Sequence, residues 1–189
     1  MLSISVGGQP LADFSQPLMM LADCHRRIEH FLDVLYRLVD RFGECPLSEE
    51  ARGALEKSLA YFQQAAPRHT ADEEESLFPR MRHSENAAIH AALAELERLE
   101  ADHRRADSLH DRINAIGQHW LQSGLLSPTD RDELQTLLAE LSSIYADHIR
   151  LEEERVFVLA AQMLSAEALR EIGVEMQQRR SLPKAQPQH

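Results

Sequence analysis

Four histidines stand where the helical periodicity of this sequence asks for leucine or isoleucine: His25, His69, His103 and His148. Two of them are followed four residues later by a glutamate, giving His69-x3-Glu73 and His148-x3-Glu152. Residues four apart on a helix share a face, with Cβ atoms roughly 5–6 Å apart. Six imidazole and carboxylate groups would therefore converge inside an otherwise apolar core. Burying the carboxylates alone is costly even after relaxation. Hydrogen bonds among the six groups offset part of that cost, and a pair of divalent or trivalent cations offsets more. Neutral imidazole and carboxylate suit iron or manganese, and also zinc. Two histidines per metal, with two carboxylates bridging both metals, uses every group. With an oxo or hydroxo bridge, each metal keeps a position for a small ligand.

The same residues recur within the chain. His25-Arg26-Arg27 returns as His103-Arg104-Arg105, an offset of 78, and the segment from His69 to Phe78 returns as His148 to Phe157, an offset of 79. The chain is thus two related helix pairs. A two-fold arrangement of the halves would place equivalent side chains on two equivalent metals.

The elements that must position these groups read as helices. Leu18, Leu21, His25, Ile28, Leu32, Leu35 and Val39 form one buried stripe, ended by Gly43–Pro46. Ser48 caps a second helix whose stripe is Leu55, Leu59, Phe62, Ala66, His69, Glu73 and Leu77. Pro67 should kink it or open one turn just before His69, and Pro79 and Ser84 mark its exit and the next cap. The third carries Leu96, Leu99, His103, Ala106, His110 and Ile113, and runs through Trp120 to Ser123-Gly124. Ser127, Pro128 and Asp130 start the fourth, with Leu134, Leu137, Leu141, Ile144, His148, Glu152 and Leu159. The expected fold is all-α: an antiparallel up-down-up-down four-helix bundle with a short additional C-terminal helix. Residues 1–17 read as an irregular arm, 18–161 as the bundle, and 162–189 as a helix from Ser165 to Arg179 with a flexible tail holding Pro183 and Pro187.

Composition narrows the partners. A formal net charge of -11 disfavours nucleic acid and acidic membranes. No apolar run is long enough to cross a bilayer, and no basic segment leads into an apolar one near Met1, so a cytoplasmic location is the expectation. Cys24 and Cys45 would lie roughly 30 Å apart along one helix, beyond disulfide reach, so both read as reduced thiols, Cys24 as a packing residue. No phosphate loop, His-Glu-x-x-His motif or nucleophile elbow is present. A ferritin-like site needs Glu-x-x-His twice, and only Glu100 to His103 has that spacing.

Taken together, the lone His25, His69-x3-Glu73, the lone His103 and His148-x3-Glu152 resemble the hemerythrin-like, or HHE cation-binding, family over roughly residues 11–161. That resemblance implies a μ-oxo-type di-iron site with His25 and His69 on one iron, His103 and His148 on the other, and Glu73 and Glu152 bridging. The chain departs from the oxygen-carrying hemerythrins. Those have a second histidine one turn from the third-helix ligand and a bridging aspartate five residues after the fourth-helix histidine. Here the corresponding positions are Leu99, Asp107 and Glu152. The pattern is more similar to iron–sulfur-cluster repair di-iron proteins and to the iron-sensing domain of a ubiquitin-ligase subunit. The implied role is binding or sensing of oxygen or nitric oxide, or a response to iron or redox state. The rivals are an iron donor for cluster repair and a structural bundle with a zinc-filled or vestigial site.

Around the six, Asp107 and His110 read as partners of the ligands rather than ligands. Glu74 and Glu153, one residue past each bridging candidate, read as solvated or as such partners. Tyr145 reads as core, with the capacity to donate a hydrogen bond to a bound ligand. His30, His83, His90, His119 and His189 read as surface residues. Arg179-Arg180 on the final helix permit a homodimer.

Overall fold

Ser48 and Ser127 start two helices as the sequence predicts: their hydroxyls accept from the amides of Ala51 and Asp130, donors that a first helical turn leaves unpaired. Pro17 and Pro128 occupy first-turn positions, where a missing N–H removes no helical bond. Gly124 ends its helix with a φ of 73° and an amide bond to the Trp120 carbonyl, a left-handed cap that favours glycine.

The computed structural model describes residues 12–83 and 92–181, and every element in them is helical. These are α1 (Pro17–Phe42), α2 (Glu49–Gln64), α3 (Ala66–Asp72), α4 (Phe78–Arg82), α5 (Leu93–Ser123), α6 (Pro128–Leu151), α7 (Phe157–Met163) and α8 (Ala166–Ser181). Two π-helical turns, Glu73–Leu77 and Glu152–Val156, join α3 to α4 and α6 to α7. The pieces line up as four long rods: α1, α2–α4, α5 and α6–α7. Helix α1 packs on α2 and α6, and α5 packs on the same two, so the rods close around one interior. Helix α8 lies against α1, α3 and the first π-turn. No described helix is long and apolar enough to cross a membrane.

The interior is two apolar clusters. One contains Ile28, Leu35, Leu55, Ile113, Trp120 and Leu138; the other contains Leu21, Leu77, Phe78, Leu99, Val156 and Met176. In every rod the predicted polar residues fall between the two sets: His25 between Leu21 and Ile28, His69 and Glu73 between Ala66 and Leu77, His103 between Leu99 and Ala106, His148 and Glu152 between Leu141 and Val156. A polar layer is thus sealed above and below by side chains whose burial favours the fold by about 1.5–3 kcal/mol each.

Some expectations hold and others need adjusting. The chain breaks at Ala65, one turn before His69, as Pro67 demands. In the fourth rod Leu138 is the fully buried residue, and Leu137 only half-buried. Beyond Glu152 the buried positions are Val156, Phe157 and Ala160, while Leu159 is half-buried. The cause is the π-turn: the Phe157 amide bonds to the Glu152 carbonyl, five residues back, so an extra residue enters the turn and advances the stripe. The Phe78 amide bonds to the Glu73 carbonyl in the same way. Of the predicted arm, residues 12–16 are tied down: the Ala12 amide donates to Asp23 at 3.0 Å, and Phe14 packs with the α8 cluster. Residues 1–11, the expected cap Ser84, His90, and the expected flexible tail with Pro183, Pro187 and His189 lie outside the described residues. The final helix begins just past Ser165, whose hydroxyl accepts from the Ala168 amide. Cys24 is buried and Cys45 exposed, both free thiols.

Gly173 of α8 faces the backbone of Phe14, and a Cβ there would overlap the Phe14 carbonyl oxygen. Gly173→Ala is expected to destabilise the protein by about 1–3 kcal/mol. Thermal unfolding followed by circular dichroism should show a midpoint several degrees lower.

Candidate metal centre

The two π-turns begin at the two glutamates that the sequence singles out, one from each repeat. Glu73 and Glu152 are both fully buried, as are, within a few per cent, His25, His69, His103 and His148. The six side chains form two groups, His25–His69–Glu73–Glu152 and Glu73–His103–His148–Glu152, each with ligand atoms all within 4.8 Å of one another. The groups share both carboxylates, and each has its own pair of histidines. Glu73 Oε1 lies 3.3 Å from His69 Nε2, and its Oε2 lies 3.3 Å from His103 Nε2. Glu152 Oε2 lies 3.0 Å from His25 Nε2 and 3.3 Å from His148 Nε2. Each carboxylate therefore reaches histidines of both pairs. The imidazole pairs are close too: the His25 and His69 rings are 4.9 Å apart and the His103 and His148 rings 4.6 Å apart.

These groups fit a cation pair better than they fit one another. Both oxygens of Glu73, both of Glu152 and His25 Nε2 are buried with no hydrogen-bond partner among the described residues. They approach within ion-pair distance but are not aligned as hydrogen bonds. Buried polar atoms are nearly always satisfied in folded proteins, and five orphans at one spot mark a place where positive charge belongs. The electrostatics agree. Burial alone would lower His25, but the contact and charge of Glu152, with Glu73 and Glu153, lift it to about 9. His103 rises to about 10 against its burial, through Glu73 and Glu74. Burial and the neighbouring Glu152 charge push Glu73 up to about 7. Against its own burial, Glu152 is held below the usual carboxylate range by His148 and His25. His69 is driven well down by burial and by the His25 charge.

Around this layer the repeat persists in residues whose direction the sequence reading leaves open. His103 Nδ1 donates to Glu74 Oε1 at 2.8 Å, and His25 Nδ1 donates to Glu153 Oε1 at 2.9 Å. Glu74 and Glu153 are half-buried and reach from one rod to the lone histidine of another. Such a bond fixes the tautomer and leaves Nε2 for a cation. Phe78 stacks on His103 at 6.4 Å, and Phe157 on His25 at 5.6 Å. The signal was available: both acids and both phenylalanines lie at matching places in the repeated segments. By contrast, His69 Nδ1 has no hydrogen-bond partner, and His148 Nδ1 lies 3.8 Å from Asp102.

One residue was missed. Asp72 is fully buried beside Glu73 and accepts from Arg179 at 3.0 Å and Arg180 at 2.6 Å. Those arginines are thus engaged within the molecule. Arg80 extends the clasp to Glu175 and Glu171 of α8. Nothing local points to this contact, because its partners are more than a hundred residues apart.

On its other side the imidazole layer meets a small cavity of about 20 Å³, walled by the four histidine rings, Phe62, Ala106, His110 and Tyr145 among others. His110 Nε2 and the Tyr145 hydroxyl are hydrogen-bonded at 2.8 Å, and His110 stacks on Phe62 at 4.4 Å. Burial pushes His110 down to about 4, so it is a neutral ring at physiological pH. Asp107 is exposed at the rim. His30, His83 and His119 are surface residues, as expected.

The chain matches the family profile of the hemerythrin HHE cation binding domain over residues 16–160. It is also similar to an uncharacterized protein of Haemophilus influenzae, 29% identical over 174 residues, which cover 92% of this chain and 95% of the relative.

Removing the buried Asp72 carboxylate takes the ion-pair partner from Arg180 and leaves Arg179 with Glu75 alone at the seam between α3 and α8. Since both arginines keep some solvent contact, Asp72→Ala is expected to cost about 2–4 kcal/mol, less than a fully buried pair. The urea midpoint should fall accordingly, and amide exchange should accelerate in 166–181.

Proposed function

The chain belongs to the hemerythrin HHE cation-binding domain family, and from that premise we propose that it is a non-haem di-iron protein that binds or senses a small diatomic ligand, oxygen or nitric oxide, or responds to iron or redox state. The observation that carries this reading is the set of five partnerless buried donor atoms in two groups that share both carboxylates. In it, His25 and His69 would hold one iron, His103 and His148 the other, and Glu73 and Glu152 would serve both. When bound, the iron pair supplies Lewis acidity, one-electron redox chemistry and coordination positions for a small ligand.

The chain's own residues set the terms. Glu74 and Glu153 orient the rings of His103 and His25. Phe78 and Phe157 cover the faces of those rings. The two apolar clusters keep water from both sides of the layer. The cavity of about 20 Å³ beside the imidazoles holds about one water-sized molecule, which favours a diatomic ligand over an organic substrate. The same reading takes residues 18–161 as the bundle proper, its rods running up-down-up-down, and the C-terminal helix as an added cover.

Anaerobic iron reconstitution is expected to load about two metals per chain, with near-ultraviolet absorption that responds to azide or nitric oxide. A loading of one or none would count against the reading, as would a spectroscopically silent zinc protein isolated from cells. Glu73→Ala or Glu152→Ala should lose metal from both positions, and loss from one alone would show that the carboxylate does not bridge. Glu74→Gln and Glu153→Gln should keep the fold but weaken metal binding by about 10–100-fold, measured by competition with a chelator.

A further inference from the structure

Four polar side chains outside the six line the small cavity: Thr70, Asp107 and the hydrogen-bonded pair His110 and Tyr145. His110 and Tyr145 face it together with Ile28, Phe62, Ala66, Ala106 and Ile149. Packing does not require them. Through the internal offsets of 78 and 79, His110 corresponds to Leu32 and Tyr145 to Ala66 in the other half of the chain. Both counterparts are buried and apolar. At these two positions one half carries hydrocarbon and the other a phenol and an imidazole, groups that are costly to bury unless hydrogen-bonded.

Their hydrogen-bond inventory leaves one donor over. A neutral imidazole has one N–H and one lone pair, and a phenol has one O–H. The pair makes one bond, between His110 Nε2 and the Tyr145 hydroxyl. If the phenol donates it, the N–H must be on His110 Nδ1, which is buried and has no partner among the described residues. An orphaned buried N–H is rare and costly. If Nε2–H donates instead, Nδ1 is a bare lone pair and the tyrosine O–H is free at the cavity wall. A ligand with an acceptor atom in the cavity selects this second arrangement. His110 and Phe62 also line an open groove of about 550 Å³ on the outer side, so their stacked rings stand between solvent and cavity.

We propose that Tyr145 donates a hydrogen bond to the small ligand seated in this cavity, and that His110 is the positioning residue that turns its hydroxyl inward. The proposal rests on the diatomic-ligand reading and adds a named donor to it. It also makes the two metal positions inequivalent toward the ligand, since Tyr145 and His110 lie on the rods that carry His148 and His103.

The test uses the full-length, iron-loaded protein with nitric oxide as probe, followed by its N–O stretching band in ordinary and heavy water and by its dissociation rate. In the unaltered protein the band is expected to shift on exchange into heavy water. Tyr145→Phe should retain its iron, lose that shift and release nitric oxide roughly three- to tenfold faster, the worth of one hydrogen bond. His110→Leu should diminish the shift although the tyrosine is present, an effect that packing alone would not produce. An absent shift in the unaltered protein overturns the proposal, even if the variants fail to fold. An unchanged band and release rate in Tyr145→Phe overturns it too. If the iron-loaded protein takes up no nitric oxide at all, the diatomic-ligand reading fails, and this proposal falls with it.

Discussion

Glu73 and Glu152 come from two different rods, are wholly buried, and have no hydrogen-bond partner among the described residues for any of their four oxygens. Two carboxylates cannot both be charged in such a place unless positive charge is supplied. The rest of the layer answers that demand. Four imidazoles surround the pair, and two of them are raised well above their ordinary range by the acids they face. The apolar clusters on either side make the demand more severe, because they keep water from doing the same work. Sealing and charge neutralisation are one design: the drier the layer, the more strongly it calls for a cation, and the more firmly a cation there would tie the four rods together.

The internal repeat explains how one chain builds the site twice. Each half contributes a lone histidine, a His-x3-Glu pair, an acid that orients the other half's lone histidine, and a phenylalanine that covers its ring. The π-turns are part of this set. By admitting one extra residue directly after the histidine-bearing turn, they let Glu73 and Glu152 face inward while Glu74 and Glu153 reach sideways to a neighbouring rod. Departures from the repeat are equally informative. Asp72 has Leu151 as its counterpart, and only Asp72 is clasped by the arginines of α8. His110 and Tyr145 have Leu32 and Ala66. The two halves therefore agree where a cation would be held and differ in how the layer is covered and what faces its cavity.

The local code of this chain is unusually easy to follow. Helix starts at Ser48 and Ser127, the cap at Gly124 and the break ahead of Pro67 depend only on residues within a turn of one another, and the folded chain keeps them. The six polar residues were legible because each interrupts a periodic apolar stripe and because the interruptions recur at a constant offset. An all-helical fold and the convergence of those six side chains follow from the same periodicity.

Other features depend on elements far apart in the chain. Helical periodicity assumes a constant number of residues per turn, so a stripe extrapolated through Glu152 picks Leu159, whereas the π-turn makes Val156, Phe157 and Ala160 the buried residues. Adjacent residues on a helix do diverge, but only the neighbouring rod shows that Glu74 diverges toward His103 and Glu153 toward His25. The engagement of Asp72 with Arg179 and Arg180, and the meeting of His110 with Tyr145, are likewise contacts between rods. Sequence by itself determined which residues are helical, which face inward and which of those can carry charge, because these are properties of short segments and their period. Only tertiary structure decided which charges meet and which are left without partners, because that depends on where separate rods come to rest against one another.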